Sequence, residues 1–354
     1  MSKLRAGIVG CGGRGHAHAK GYAASDDVEI VACADPVGEA RWKFQEAFGC
    51  ERTYKDFRDM LEGEMLDLVS ICTWPEYHPE MVITAAGRGA KAIHCEKPMA
   101  PNWGGSKALV QTCNDHGVMI QFCHQRRFAP PFMTARKLLK DGVIGKLVRM
   151  EGACSNLYDW GTHWFDMFFY YNDDTPAEWV MGQLDAVREN SAFGVQLETS
   201  GLSWIRWNNG VEGLLATGEA ALQGAANRLI GTEGIIEVGA PDSGPVRFMG
   251  HTTQGWETPE LVEVSPGQDD TIRATLDLID AVQSGREPEL SGRKALQATE
   301  LIFASYESSR RRARIALPLS VDDSALLAML EAGEIGYTKR ETQGDSEVDS
   351  FFTP

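Results

Sequence analysis

The chain opens on a short apolar run that breaks into glycines, Leu4-Arg5-Ala6-Gly7-Ile8-Val9-Gly10-Cys11-Gly12-Gly13-Arg14-Gly15. This pattern predicts a buried strand over 4–9 that turns straight into a helix. Gly10, Gly12 and Gly15 fit G-x-G-x-x-G, and each glycine has its own task. Gly10 makes the tight turn, Gly12 lets a pyrophosphate reach the backbone, and Gly15 lets the helix close on the strand. The helix start, with Gly13 and Arg14, offers unpaired N–H groups and a positive dipole end to phosphates. A second apolar run, Val28–Ala34, ends in Asp35, about twenty residues after Gly15 as the fingerprint expects. Asp35 would accept hydrogen bonds from the adenosine ribose and repel a 2′-phosphate. NAD is therefore expected over NADP, with Arg14 and Arg41 as the residues able to reverse that preference.

The rest of the first third repeats the alternation. Strands are predicted near 4–9, 28–34, 66–72, 91–95 and 118–122, and helices near 15–24, 38–48, 55–62, 77–88 and 103–116. Apolar strands joined by helices predict a doubly wound parallel sheet covered on both faces. After Phe122 the texture changes. A helix near 130–141 precedes longer strands near 146–154, 178–187, 197–208 and 211–219, then shorter ones near 227–238 and 246–250. Asn208-Asn209-Gly210 between two of them marks a hairpin, so an open, mostly antiparallel sheet is expected. Helices near 270–284 and 292–313 are expected to close this second unit. The domains are placed at 1–123, 124–318 and a C-terminal extension at 319–354, whose end, Thr342–Glu347, reads as a mobile tail.

Composition narrows the partners. The 354 residues suffice for two cores. A net charge of −16 argues against nucleic acid and anionic membrane surfaces. The run Arg310-Arg311-Arg312-Ala313-Arg314 reads as a solvated helix end. No apolar stretch approaches membrane-spanning length, and folded sequence starts too early for a signal peptide. The eight cysteines lack C-x-x-C spacing and read as small core residues in a reducing cytoplasm.

Ligands of open parallel sheets lie beyond the C-terminal strand ends. The third long strand there ends in Thr73-Trp74-Pro75-Glu76-Tyr77-His78, the fourth in Glu96-Lys97-Pro98, where the proline restricts the lysine backbone. A surface Glu–Lys pair is the plain alternative. Further on, Asp159-Trp160-Gly161-Thr162-His163-Trp164-Phe165-Asp166 opens an apolar helix. Asp159 and His163 then stand one turn apart, which suits a carboxylate orienting an imidazole, although Asp159 could equally cap the helix. His163 and Asp166 lack a third metal ligand, so no metal is expected.

These pieces, in this order, resemble the Gfo/Idh/MocA oxidoreductases, which include glucose–fructose oxidoreductase and inositol dehydrogenase. His124-Gln125-Arg126-Arg127-Phe128, Gly231-Thr232-Glu233-Gly234 and Gly285-Arg286-Glu287-Pro288 add to the resemblance, which covers roughly residues 4 to 318. It implies a Rossmann domain followed by an α/β domain whose open sheet makes dimer or tetramer contacts. It also implies NAD-dependent hydride transfer at a sugar or polyol hydroxyl, with Lys97, Asp159 and His163 catalytic. Thr73, Pro75, Glu96, Lys97 and Gln125 join the implied cofactor set. Lys97, Arg126, Trp160 and His163 form the implied substrate set, with Arg126 or Arg127 reserved for an interdomain ion pair. His78 reads as a capping or packing residue. Relatives carry a longer segment before the D-x-G-x-H stretch; here only Ala153–Tyr158 intervenes, which predicts a more open pocket, completed by a neighbouring subunit. Two other readings stay open: glycoside cleavage through transient oxidation, and a nucleotide-binding sensor without catalysis.

Overall fold

A computed structural model describes residues 3–219, 221, 224–241 and 243–336. The expected tail at Thr342–Glu347 lies outside the described residues. Over the first third the elements are β1 (Leu4–Val9), α1 (Gly13–Ala23), β2 (Val28–Ala34), α2 (Gly38–Phe48), β3 (Arg52–Tyr54), α3 (Phe57–Gly63), β4 (Leu68–Ile71), α4 (His78–Gly87), β5 (Ala92–Cys95), α5 (Trp103–Asp115) and β6 (Met119–Phe122). They form a parallel sheet in the order β3-β2-β1-β4-β5-β6. The order reverses between β1 and β4, and that switch point is where such sheets bind ligands. β4 and β5 are buried at every position, as strands covered on both faces must be. The short β3, only three residues with two exposed, escaped the sequence reading because so brief a run carries no periodicity.

A 3-10 turn (Gln125–Phe128) leads into α6 (Pro130–Lys140), β7 (Leu147–Cys154), α7 (Gly161–Tyr171), β8 (Ala177–Asp185), β9 (Ser191–Ala192), β10 (Val195–Gln196), β11 (Ser200–Trp207), β12 (Glu212–Thr217), β13 (Asn227–Gly231), β14 (Ile235–Val238) and β15 (Val246–Met249). Then follow α8 (Asp270–Ser284), α9 (Gly292–Arg311), β16 (Ile315–Ala316) and α10 (Ala325–Glu331). The second sheet runs β15-β14-β13-β7-β12-β11-β8-β16. Its pairs are antiparallel except β7 with β12, which is parallel. Asn208-Asn209-Gly210 makes the β11–β12 hairpin, with Gly210 at φ +86°.

Burial alternates along β7, β8, β11 and β12, so this sheet covers one face and opens the other. Every residue of α7 is buried, the mark of a helix enclosed on all sides. Phe165, Phe168 and Phe169 pack there with Trp207, Leu301, Ile302 and Phe303.

One expectation is corrected by packing. α8, expected to close the second unit, lies on α1 of the first. A Cβ on Gly21 would stand 2.4 Å from Thr275 Cβ, and Leu278 and Ile279 share a core with Ala6, Ile8 and Tyr22. Its apolar face is equally suited to either half, so periodicity alone could not choose. α9 joins both cores through Ala295 and Leu301. The arginines at its end bind Glu307 and Asp323. The eight cysteines are free, and seven are buried. Among the described residues no helix is long and apolar enough to cross a membrane.

Candidate active site

The glycine turn is built as the sequence requires. Gly10 sits at φ +91°, and a Cβ there would lie 2.5 Å from Cys72 O. A Cβ on Gly15 would lie 2.0 Å from Gly10 O, which is the strand–helix contact itself. At Gly12 and Gly13 a Cβ meets nothing within 4 Å. Those two glycines are dispensable to the packing of the protein and border open space at the start of α1. That vacancy beside free N–H groups fits a pyrophosphate. Asp35 holds the loop: its Oδ2 accepts from Cys11 N at 2.9 Å and its Oδ1 from Val37 N at 2.8 Å. Arg41 Nη1 donates to Asp35 O at 2.5 Å, whereas Arg14 is turned away towards Glu96. Of the two arginines that bear on the 2′-phosphate, only Arg41 is beside Asp35.

A cleft of about 460 Å³ begins at this loop and runs between the two sheets. Gly12, Gly13 and Arg14 of the glycine turn, Thr73, Glu96, Lys97 and Gln125 from the ends of the parallel strands, and Arg126, Asp159, Trp160 and His163 from later in the chain all line it. Residues expected from distant stretches of sequence thus share one space. Pro75 is buried and is not among the lining residues. His78, also buried, places its ring between the carbonyl oxygens of Thr73 (3.1 Å) and Pro98 (3.1 Å), tying the β4 end to the turn after β5.

Glu96 is no surface residue. Its Oε1 accepts from Arg14 Nε at 2.6 Å and from His18 Nε2 at 2.9 Å. Burial pushes its pKa up, yet the His18 hydrogen bond and the Arg14 charge outweigh it, holding the carboxyl well below the usual range. The line continues through His18 Nδ1, Ser70 Oγ and Tyr22 OH, at 3.1 and 3.0 Å. Burial lowers the His18 pKa, so a neutral ring donates to Glu96. His18, His94 and Cys123 gather ligating atoms within 4.8 Å. The Arg14 guanidinium stands 3.2 Å from Cys123 Sγ, however, and a cation there would face that charge.

The three residues expected to be catalytic are arranged differently from the expectation. Lys97 Nζ donates to Asp159 Oδ1 at 2.5 Å and to Asp159 O at 3.2 Å. Asp159 lies ahead of α7, whose cap is Trp160, so it neither caps the helix nor stands a turn below His163. Helical spacing misled because the helix begins two residues later. Asn156 sets this entry: its Oδ1 accepts from Asp159 N at 2.7 Å and its O from Gly161 N at 2.8 Å. His163 is buried and its Nδ1 has no hydrogen-bond partner. Burial first, then the charges of Lys97, His124 and Arg126, push its pKa well down. The ring is therefore neutral.

The neighbouring arginines divide cleanly. Arg127 is fully buried, with Asp166 at 2.8 Å, Asp174 at 2.8 Å and Glu289 at 3.0 Å. It is the structural ion pair, and Asp166 belongs to it. Arg126 lines the cleft without an ion pair or hydrogen bond among the described residues, and its Nε is buried unpartnered.

Three lining residues were not among the expected site residues: Cys72, Trp74 and Phe193. Phe193 and Gly194 join β9 to β10 at φ +51° and +78°, the signature of a type I′ turn. Phe-Gly is a poor sequence signal for that turn, which ordinarily announces itself as Asn-Gly. The Lys97 ammonium lies 5.7 Å from the centre of the Phe193 ring, and a Cβ on Gly194 would touch Trp74 at 3.6 Å. A hairpin of the second unit therefore crosses to the first.

Fold and cleft together place a parallel sheet of the dinucleotide-binding type across a shared cleft from a second, mostly antiparallel sheet. Residues 4–124 match the model of the oxidoreductase family with an NAD-binding Rossmann fold, Gfo/Idh/MocA. It is 27% identical over 347 residues to D-apiose dehydrogenase of Paraburkholderia graminis, covering 88% of each chain. It is also 27% identical over 338 residues to inositol 2-dehydrogenase of Rhizobium meliloti, covering 89% of this chain and 99% of that one. Among solved structures, levoglucosan dehydrogenase in complex with NADH and levoglucosan superposes with a TM-score of 0.78 at 21% identity, over 90% of this chain and 100% of that one.

Proposed function

We propose that this chain is an NAD-dependent dehydrogenase or reductase acting at a secondary hydroxyl or keto carbon of a sugar, polyol or sugar derivative. One observation carries the reading: Lys97 from the first unit and His163 from the second line the same cleft as Gly12 and Gly13. The names of the relatives, dehydrogenases of apiose and inositol, agree with it. When bound, NAD supplies the hydride acceptor. The chain's own residues handle the oxygen. His163, neutral and buried, takes the hydroxyl proton as the C–H bond breaks. The Lys97 ammonium stabilises the developing alkoxide, and Asp159 holds that ammonium in place. The cofactor face is fixed by the Glu96–Arg14 pair, which steadies the turn carrying Lys97. Asp35 supports NAD over NADP.

Lys97→Met and His163→Gln should each lower kcat by roughly 10²–10⁴-fold while NADH fluorescence titration shows cofactor binding retained. Unchanged turnover in both overturns the assignment. A proton acceptor works only when unprotonated, and the depressed pKa of His163 moves its loss to lower pH. The oxidation profile of kcat/KM should thus stay flat down through about pH 6.5, the ordinary histidine value. An acid limb at or above that value would contradict a depressed base.

The open face of the second sheet supports a homodimer. Met181, Leu202 and Trp204 stand 48%, 50% and 38% exposed on adjacent strands, an apolar patch of the kind that marks contacts between chains. Sedimentation equilibrium showing only monomer at micromolar concentration removes that reading.

A further inference from the structure

The cations of the cleft are unequally committed. Arg14 is spent on Glu96 and Lys97 on Asp159, while Arg127, next in sequence but outside the cleft lining, is held by three carboxylates. Arg126 alone, among the described cleft residues, carries a charge with no partner. Asp270, at the start of α8, feels its field but forms no ion pair with it. A guanidinium with one buried, unsatisfied N–H is costly to keep unless something completes it. Arg126 lines the cleft together with His163, whose pKa its charge helps to lower. Trp74, Trp160 and Phe193, 53%, 43% and 42% exposed, line the same cleft. Aromatic faces of this kind suit the C–H faces of a sugar ring.

From these observations we propose that the substrate is an acidic sugar, a uronic or aldonic acid, whose carboxylate pairs with Arg126 while its ring or chain lies against the aromatic walls. The proposal rests on the reading of the cleft as a sugar dehydrogenase site and deepens it. A carboxylate is preferred to a phosphate on charge. One planar guanidinium matches one carboxylate in a two-bond fork, whereas a phosphate dianion would leave a charge unanswered, because Lys97 already faces Asp159 and the reacting oxygen. Binding of the anion also answers the charge of Arg126 that depresses His163. The imidazole is thereby left a better proton acceptor when substrate is in place than when it is absent.

The test uses matched ligands on the NADH-loaded protein: D-glucuronate against D-glucose, D-galacturonate against D-galactose, and D-gluconate against D-glucitol, with D-glucose 6-phosphate as the phosphate arm. Titration calorimetry should show at least one acid binding more tightly than its neutral partner by on the order of 10- to 100-fold. Arg126→Gln should abolish that difference, and Arg126→Lys, which keeps the charge but loses the fork, should restore only part of it. NADH binding by each variant, read by fluorescence, reports an intact fold. Neutral partners binding as well as the acids, or a preference that survives Arg126→Gln, overturns the proposal. Tighter binding of the phosphate ester than of every acid overturns the carboxylate assignment. Turnover of the same panel with NAD separates the two levels. An acid bound through Arg126 but never oxidised leaves the Arg126 carboxylate subsite standing but sinks the dehydrogenase reading, and with it the assignment of the acid as substrate. A neutral sugar oxidised as efficiently as its acid does the reverse.

Discussion

The two walls of the cleft are held in place by different physics. On the Rossmann side, cleft-lining residues such as Thr73, Glu96 and Lys97 sit one or two positions beyond buried strand ends, so the parallel sheet aims them. Lys97 follows β5 within two residues, and Thr73 follows β4 at the same distance. On the opposite side the positioning is done by single side chains. Asn156 turns the chain ahead of α7, and buried Glu198 accepts from Leu157 N in the same loop. The first wall inherits the rigidity of a sheet, whereas the second depends on a few side-chain hydrogen bonds, the local ones of Asn156 and the one that reaches forty-one residues to Glu198. A sheet end tolerates the loss of one contact. A loop held by one carboxylate does not.

Arg126 and Arg127 show the same contrast at adjacent positions. A guanidinium saturated by three carboxylates in the interior is architecture, and one left open in a cleft is available to a ligand. Arg127→Ala should therefore give the largest loss of stability, about 3–5 kcal/mol, because it strands Asp166 in a buried site. Thermal or urea unfolding measures it. A loss below that of an ordinary surface change would mean the cluster is solvated and the contrast false.

Within the glycine loop the comparison sharpens further. A Cβ at Gly12 touches nothing in the protein, so Gly12→Ala should melt like the parent. It should weaken NAD binding by about 1–3 kcal/mol, the scale of overpacking a close contact. Equal affinity in parent and variant would mean the pyrophosphate does not pass over Gly12.

What was readable from sequence follows the same division. The glycine turn, Asp35, the Glu96-Lys97-Pro98 turn and most strand limits are local patterns, and local patterns survive without tertiary knowledge. Lys97, Asp159 and His163 could be named from residue types in order along the chain. Their connections could not, because the choice between Lys97 and His163 as the partner of Asp159 depends on where α7 begins, and a shift of two residues decides it. Phe193 was invisible because its importance comes from a hairpin that reaches across the cleft, and its turn lacks the Asn-Gly that would announce it. α8 shows the limit at the level of the fold: an amphipathic helix advertises that it must be covered, never by which domain.

The smallest effect separates support of the cleft from plain stability. Tyr306 OH donates to Glu198 Oε2 at 2.9 Å, and burial raises the Glu198 pKa, so this hydrogen bond is made to a carboxyl that already pays for its position. In the same domain Ser203 and Ser305 share a buried hydrogen bond of 2.6 Å that leads to no cleft residue. Tyr306→Phe and Ser203→Ala each remove one such bond and should each cost about 1 kcal/mol of stability. Only Tyr306→Phe releases the carboxylate that anchors Leu157, and with it the loop presenting Asp159 to Lys97. It should lower kcat several-fold with NADH affinity unchanged, while Ser203→Ala leaves kcat at the parent value. Equal turnover in the two variants would show that Asn156 alone fixes the loop, and the distinction between a wall held by a sheet and a wall held by side chains would then rest on that one residue.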